Sequence, residues 1–191
     1  MLEIARMIAF LGWGSLVWDP RELPIDHQWN TDGPYVRIEF LRQSNNGRLT
    51  LVISQDASPV HSLWTRYSGS DLMRAREDLR IREGIHKNNA ERHVGSWVRG
   101  DASPIGVIDL EPWAAARGIE AVVWTALPPK FGGIDGVGPT VEQAISYLGN
   151  LVDPIRSDAE QYVRRAPRQV DTPYRRRIEH ALGWSCTEFE S

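Results

Sequence analysis

The residues that first suggest chemistry form a glycine-containing turn that follows a short apolar segment. We call them the glycine turn, and they are, in order, Gly12, Trp13, Gly14, Ser15 and Leu16. With two glycines in so short a turn, several backbone N–H groups can point the same way and bind a carboxylate or phosphate without a charged side chain. An ordinary tight turn is an equally good interpretation. The pattern lacks the third glycine of a dinucleotide-binding loop and the Gly-Lys-Ser/Thr of a P-loop.

A second candidate is Glu83, which stands beside Gly84 at the end of a predicted helix, close to Arg80 and Arg82. A carboxylate that is partly buried at such a junction can accept and return a proton. A glutamate in an arginine-rich stretch more often forms a solvated surface ion pair. The residue alone leaves both interpretations open. Glu83 gains interest from its combination with the glycine turn, and we expect the two to face one pocket.

The other reactive residue types predict no further site. The histidines show neither the His-Glu-x-x-His nor the Cys/His spacing of a zinc site; they are His27, His61, His86, His93 and His180. Cys186 is the single cysteine, which excludes an internal disulfide. Ser15 lacks the Gly-x-Ser-x-Gly context of a nucleophile elbow. We therefore expect no metal, no cofactor and no nucleophilic role for Ser15 or Cys186.

Apolar runs and alternation predict the strands that position these residues. Residues 7–11 form a short apolar run that leads into the glycine turn, as a buried strand does. In residues 36–41, Val36, Ile38 and Phe40 alternate with Arg37, Glu39 and Leu41. Residues 49–53 alternate in a similar way, and a turn at Asn45-Asn46-Gly47 lies between the two segments, so a hairpin is predicted over 36–41 and 49–53. Further strands are predicted within 61–67, 105–110 and 120–127, whereas 85–95 carries little pattern and 111–119 is expected to be a loop.

Capping residues predict the helices. Ser70 is the predicted N-cap of a helix that runs through Leu72, Ala75 and Leu79 and ends near Glu83, with Asp71 well placed for the helix dipole. The last third of the chain is expected to be helical. Its predicted helix starts are the capping boxes Thr140 with Gln143 and Ser157 with Glu160, and Thr172-Pro173, whose helix ends near Gly183.

Composition and charge limit the functional classes. With 191 residues, of which 41% are hydrophobic and 25% charged, the chain is expected to form a single domain over residues 1–191. Its net charge of −3 argues against electrostatic capture of nucleic acid. No apolar run near the start reaches the length of a membrane span, so we expect a cytoplasmic protein without membrane contact. The C-terminal helices concentrate positive charge, and a solvated helical face is favoured there over an anion-binding or partner-binding patch: Arg164, Arg165, Arg168, Arg175, Arg176 and Arg177.

The segment around the glycine turn resembles a known family. Residues 8–18, IAFLGWGSLVW, resemble the first strand and turn of the gamma-glutamylcyclotransferase superfamily, especially its ChaC-type branch, where Tyr-Gly-Ser-Leu or Tyr-Gly-Ser-Asn follows the first strand. A second match combines Leu63-Trp64 with residues 79–84, LRIREG, which are similar to the family's strand, helix and catalytic glutamate followed by glycine. Residues 144–148 and 157–162 resemble the closing helices, so the likeness extends over roughly residues 7–165.

This resemblance implies a fold and an activity. The implied fold is a small barrel-like mixed β-sheet flanked by helices, with residues 166–191 as a helical C-terminal extension. The implied reaction is attack by the α-amine of a gamma-glutamyl group on its own side-chain carbonyl, which closes 5-oxoproline and releases an amine. The amides of the glycine turn would hold the glutamyl carboxylate, and Glu83 would take and return the proton. The implied partner is a small gamma-glutamyl amide or peptide, with glutathione among the candidates.

The sequence also departs from the family's pattern, and this motivates alternatives. Trp13 stands where the family has tyrosine, which replaces a hydroxyl by an indole N–H. Residues 85–95 lack the tyrosine expected to line the pocket, and residues 166–191 match no family segment. One alternative is a binding or regulatory protein that keeps the fold and pocket without turnover. Another is a scaffold that binds a partner through its arginine-rich C-terminal helices.

Overall fold

The structure is a computed structural model that describes residues 6–187. It confirms the mixed α/β class and contains two sheets that each combine parallel and antiparallel strands. The described strands are β1 (Ile8–Gly12), β2 (Tyr35–Gln43), β3 (Leu49–Ile53), β4 (Pro59–His61), β5 (Leu63–Arg66), β6 (Val94–Val98), β7 (Val107–Ile108), β8 (Ala121–Thr125), β9 (Lys130–Phe131) and β10 (Ile134–Asp135). The described helices are α1 (Ser15–Trp18), α2 (Leu72–Glu83), α3 (Ala90–His93), α4 (Leu110–Ala115), α5 (Val141–Gly149), α6 (Ile155–Arg165) and α7 (Pro173–Leu182), with one 3-10 turn at Lys87–Asn89.

The described chain forms two compact units. The first unit contains residues 6–12, 19–36 and 61–127, and the second unit contains residues 13–18, 37–60 and 128–187. The glycine turn therefore begins in the first unit with Gly12 and continues in the second, whereas Glu83 belongs to the first. The single domain expected over residues 1–191 stays a prediction.

A four-stranded sheet, in the order β5-β1-β8-β6, forms the centre of the first unit. Strand β1 runs parallel to β8 and antiparallel to β5, and β6 is antiparallel to β8. Every residue of β1 is buried, as its apolar run predicted. Helix α2 packs against β6 and β8, and its buried residues include Ala75 and Leu79. Each large apolar side chain buried in this way contributes roughly 1.5–3 kcal/mol to the free energy of unfolding.

Helix α2 ends where the sequence predicted but begins with a different cap. Asp71, and not Ser70, is the N-cap, because its carboxylate accepts hydrogen bonds from the N–H groups of Met73 (2.8 Å) and Arg74 (3.2 Å). At the other end Gly84 has φ 67°, a left-handed conformation that glycine adopts without strain. Glu83 is therefore the last residue of the helix.

Local signals also predicted much of the second unit. Strands β2 and β3 form the expected antiparallel hairpin. Helix α5 begins at the predicted capping box, in which Thr140 Oγ1 accepts from the Gln143 N–H (3.2 Å) and Gln143 Oε1 accepts from the Thr140 N–H (2.8 Å). Helix α7 begins with Pro173 and ends at Leu182, with Gly183 as its C-cap, also as predicted.

The predicted capping box at Ser157 and Glu160 is wrong. Helix α6 begins at Ile155, so Ser157 lies inside its first turn. The capping acceptor is Asp153 Oδ1, which receives hydrogen bonds from the N–H (3.2 Å) and the hydroxyl (2.6 Å) of Ser157.

The longest helix, α2, has 12 residues, and within residues 6–187 no helix is long and apolar enough to cross a membrane.

The middle of the chain contains more regular structure than expected. Residues 85–95, which carry little pattern, include the 3-10 turn, α3 and the start of β6. A glycine is needed at position 95 because a Cβ there would overlap the indole of Trp124 on the neighbouring strand β8. The strand predicted over 105–110 is reduced to the two residues of β7, and α4 replaces most of the loop predicted over 111–119.

Glu39 is buried, although alternation placed it among the polar positions of β2. Its Oε1 accepts from the Thr172 hydroxyl, and its Oε2 accepts from the N–H of Tyr174 (3.1 Å), so the carboxylate stabilises the start of α7. Burial raises the pKa of Glu39, and the hydrogen bonds from Thr172, Phe40 and Tyr174 and the charge of Arg176 oppose this shift.

The raised pKa of Glu39 predicts a pH-dependent stability. The folded chain binds the Glu39 proton more tightly than the unfolded chain does, and this binding adds to the free energy of unfolding. The contribution is complete at pH values below the pKa that glutamate has in the unfolded chain. It is lost as the pH rises through the pKa of Glu39 in the folded chain. Urea unfolding of the wild type and Glu39→Gln between pH 4 and pH 8 measures the effect. The free energy of unfolding of the wild type relative to Glu39→Gln should fall with rising pH, whereas Glu142→Gln, whose target is 70% exposed, should give no trend. A pH-independent difference for Glu39→Gln would contradict the assignment.

Candidate functional site

Glu83 takes part in a mostly buried ion pair at the end of α2. Its Oε1 accepts hydrogen bonds from Arg82 Nη1 (2.8 Å) and from the hydroxyl of Thr125 (3.0 Å). The side chains of Glu83 and Arg82 are 15% and 5% exposed. Arg82 also donates to the backbone carbonyl of Asp19 (3.1 Å from Nε), which fixes the guanidinium. Glu83 and Arg82 therefore do not form the solvated surface ion pair that was one interpretation of the sequence.

The two neighbouring arginines have different roles. Arg80 binds Glu77, with Nε 2.7 Å from Oε2, and donates to the Ile85 carbonyl, so its side chain closes the helix end without contacting Glu83. Only Arg82 supplies charge to Glu83 within residues 6–187. Helical spacing does not decide this division, because Glu77 and Glu83 both lie three residues from Arg80.

The two oxygens of Glu83 are not equivalent. Both hydrogen bonds fall on Oε1, and no donor among residues 6–187 reaches Oε2. A carboxylate whose orientation is fixed through one oxygen presents the other in a defined direction. Oε2 is consequently the oxygen of Glu83 that receives no hydrogen bond from residues 6–187.

Two further contacts hold α2, and hence Glu83, on the sheet of the first unit. The hydroxyl of Tyr67 donates to Asp78 Oδ2 (2.8 Å), and Arg76 Nη1 donates to the hydroxyl of Ser96 on β6 (2.7 Å). Burial, together with the Asp78 carboxylate, raises the pKa of Tyr67 to about 12, so this phenol remains a hydrogen-bond donor at neutral pH. The middle of α2 is thus anchored to β6 and to the segment that follows β5.

Within the first unit, Gly12 and Glu83 lie at the same edge of the sheet. Strands β1 and β8 are parallel, with Phe10 opposite Val123. Continuing this register by two residues places Gly12, the last residue of β1, beside Thr125, the last residue of β8. Because Thr125 binds Glu83, the glutamate stands at the carboxyl ends of these parallel strands, where ligands bind in many α/β sheets.

In the second unit, the remainder of the glycine turn is held by its apolar side chains. Trp13 and Leu16 are each 5% exposed. Ser15 is partly exposed and opens the one-turn helix α1, in which the N–H of Val17 donates to the Gly14 carbonyl (2.9 Å). Gly12 and Gly14 are buried as well, so Ser15 is the only partly exposed residue of the glycine turn.

Tyr162 is the residue at this turn that the sequence did not reveal. Its hydroxyl stands so close to Gly14 that a Cβ at position 14 would overlap it, and its ring meets Trp18 edge-on at 5.4 Å between centroids. The same hydroxyl accepts from the N–H of Leu51 on β3 (3.3 Å). Gly14 is thus required for space, and Tyr162 joins α6, β3 and the turn.

We expect Gly14→Ala to be destabilising by about 1–3 kcal/mol, as overpacking of a close contact usually is. The overlap is with the Tyr162 hydroxyl, so the same change should cost less in the Tyr162→Phe background. A double-mutant cycle of urea unfolding free energies measures this coupling. If the losses of unfolding free energy from Gly14→Ala and Tyr162→Phe are additive, the Tyr162 hydroxyl is not the reason that glycine is required at position 14.

The predicted site residues are therefore distributed between the two units, with Gly12 and Glu83 in the first and Trp13, Gly14, Ser15 and Leu16 in the second. Their common action on one ligand stays a prediction. An open groove of about 450 Å³ in the second unit, lined by Phe131, Glu142, Gln143, Ser146 and Tyr147, includes none of them. Comparison of the chain with known protein families and with curated proteins finds no match.

Proposed function

We propose that the protein is a gamma-glutamylcyclotransferase-like enzyme, which converts a gamma-glutamyl amide or peptide into 5-oxoproline and a free amine. The observation that supports this most is the state of Glu83, which is mostly buried and held by Arg82 and Thr125 through Oε1, with Oε2 directed elsewhere. Further support comes from the resemblance around residues 8–18 and 79–84. The superfamily's fold, with its barrel-like sheet, and a cytoplasmic location belong to the same proposal.

The proposed chemistry begins with a proton transfer. The α-amine of the substrate is protonated at neutral pH and becomes a nucleophile only when a base removes its proton. Glu83 Oε2 accepts that proton. The freed amine attacks the side-chain carbonyl carbon, a C–N bond forms to close the five-membered ring, and the bond to the leaving amine breaks. Glu83 then returns the proton to the leaving nitrogen, and it takes the second proton, which the ring nitrogen loses after the attack, and passes it to the released amine, so the enzyme is unchanged.

In this scheme the glycine turn positions the substrate. Its backbone amides hold the glutamyl α-carboxylate, which fixes the carbon that carries the attacking amine. Ring closure is intramolecular, so keeping the substrate curled lowers the entropic part of the barrier. Neither step requires a metal or a cofactor.

Incubation of the purified protein with gamma-glutamyl dipeptides, gamma-glutamyl alkylamides and glutathione tests the proposal. The expected result is time-dependent formation of 5-oxoproline and the matching amine in equal amounts from at least one of them. Heat-denatured protein is the control for spontaneous cyclisation. Absence of product across all three substrate classes would contradict the enzymatic function.

A second candidate is a gamma-glutamyl-binding protein without turnover. It is favoured by Trp13, whose indole is 5% exposed and stands where the family has a tyrosine hydroxyl. A protein of this kind should show a melting temperature that rises with gamma-glutamyl ligand concentration, without product. A melting temperature that is insensitive to every ligand of the panel would contradict both candidates.

A further inference from the structure

The turn at residues 19–21 holds the end of α2, and we call it the clasp. The carbonyl of Asp19 accepts two hydrogen bonds from the Arg82 guanidinium, one from Nε (3.1 Å) and one from Nη2. In the opposite direction, Nη1 of Arg21 donates to the backbone carbonyl of Arg82 (3.0 Å). The clasp therefore binds both the side chain and the backbone of Arg82, and all of these residues belong to the first unit.

Arg21 has a backbone conformation that residues with a side chain seldom adopt. Its φ is 54°, in the left-handed region that favours glycine. The N–H of Leu23 donates to the Pro20 carbonyl (3.2 Å), which closes the turn around Arg21, and Leu23 is buried. Nε of Arg21 also lies 3.5 Å from Asp19 Oδ2. A strained residue persists only where its surroundings hold it, and such residues are frequent at functional sites.

Arg82 links the clasp to Glu83. Its guanidinium lies between two acceptors, with Nε and Nη2 on the Asp19 carbonyl and Nη1 on Glu83 Oε1 (2.8 Å). Because a guanidinium is planar and rigid, fixing one part of it also fixes the direction of the N–H that reaches Glu83. Arg82 and Glu83 are neighbours on one helix, so a contact between them alone would not fix the carboxylate relative to the rest of the unit. The clasp provides an attachment outside the helix, as Thr125 does on β8.

We propose that the clasp is a positioning element for Glu83, and that Arg21 is a positioning residue of the reaction although its side chain is 59% exposed and binds Arg82 and not Glu83. This inference rests on the proposed function, in which Glu83 moves the proton. A general base must lie within hydrogen-bond reach of the proton that it removes, and small displacements of a catalytic group lower the rate strongly. Loss of the clasp should therefore reduce kcat and leave KM nearly unchanged, because Arg21 contacts no substrate group in this account.

Arg21→Asn removes the contact and keeps the turn, because asparagine tolerates the left-handed conformation and its side chain is too short to reach the Arg82 carbonyl. We expect kcat for 5-oxoproline formation to fall by about 5- to 50-fold, with KM within about twofold of the wild type. Arg21→Gly, which adopts this conformation without strain, should give the same loss. Arg21→Lys keeps a long donor and should restore part of the rate. His27→Asn is the control, since His27 is exposed and also left-handed (φ 57°), and kcat should not change.

Measurement of Arg21→Asn in the Glu83→Asp protein separates positioning from a general loss of structure. The shorter carboxylate of Glu83→Asp no longer reaches Arg82, so Arg21→Asn should lower the partial activity of that variant by less than it lowers the activity of the wild type. An active wild type in which Arg21→Asn leaves kcat unchanged, or lowers both rates by the same factor, overturns the inference and leaves the proposed function intact. A wild type that forms no 5-oxoproline contradicts the proposed function, and the inference with it. Melting temperatures show that each variant is folded.

Discussion

Replacement of Glu83 by glutamine is expected to reduce kcat for 5-oxoproline formation by about 10²- to 10⁴-fold, the usual contribution of a general acid–base group. Glutamine keeps an oxygen that can accept from Arg82 and Thr125, so the helix end should retain its geometry while the proton acceptor is lost. KM should change little, because Glu83 is expected to act on the amine in the transition state and not to anchor the substrate.

The controls for this prediction lie on the same helix. Glu77→Gln removes a carboxylate that is paired with Arg80, and kcat should stay within about twofold of the wild type. Glu83→Asp keeps the acid and shortens its reach, so partial activity is expected. Because Glu83→Gln removes the carboxylate that pairs with the buried Arg82, the melting temperature of this variant is measured alongside. Unchanged activity in a folded Glu83→Gln protein would exclude the proposed proton transfer.

A large loss of stability is expected from Arg175→Ala, about 3–5 kcal/mol in the free energy of unfolding. The Arg175 side chain is 3% exposed and donates to the carbonyls of the C-terminal turn of α6 and of the segment that follows it. These acceptors are Pro167 (2.6 Å), Ala166 (2.7 Å), Val170 (2.9 Å) and Val163 (3.4 Å). Alanine would remove the buried donor from all four carbonyls, of which that of Pro167 also accepts from the Val170 N–H (2.9 Å), and would create a cavity as well.

Two variants make the Arg175 prediction specific. Arg176→Ala removes the next arginine, whose side chain is 60% exposed and pairs with Asp171, and should cost less than about 1 kcal/mol. Arg175→Lys keeps the charge but cannot reach all four carbonyls, so an intermediate loss is expected. Urea unfolding followed by circular dichroism measures all three variants. Equal losses for Arg175→Ala and Arg176→Ala would show that the carbonyl network is not what stabilises α6 and α7.

Short-range signals were sufficient for the elements that carry the candidate site. The apolar run of residues 7–11 predicted β1, and Gly84 marked the end of α2, because a strand's burial and a helix's C-cap depend on neighbours in the sequence. The same reasoning failed where two adjacent polar residues competed for one cap. Asp71 took the role predicted for Ser70, since its carboxylate reaches two N–H groups of the first helical turn.

Long-range contacts explain what the sequence could not reveal. Alternation put Glu39 with the polar residues of β2, but its partner Thr172 is far away in the chain and brings the start of α7 over it. Arg175 was grouped with a solvated arginine-rich face, although it is buried against carbonyls of the preceding helix. The closeness of Tyr162 to Gly14 likewise depends on tertiary packing, so neither residue signals it alone.

The central claim is that the amides of the glycine turn hold a gamma-glutamyl carboxylate while Glu83 moves the proton. Its most direct test is an NMR titration of the ¹⁵N-labelled Glu83→Gln protein, which cannot turn over in this account, with gamma-glutamylalanine. The account predicts shifts of the Gly14 and Leu16 amide signals that saturate and fit one dissociation constant. Amide signals of the turn that stay in place at saturating ligand would contradict it.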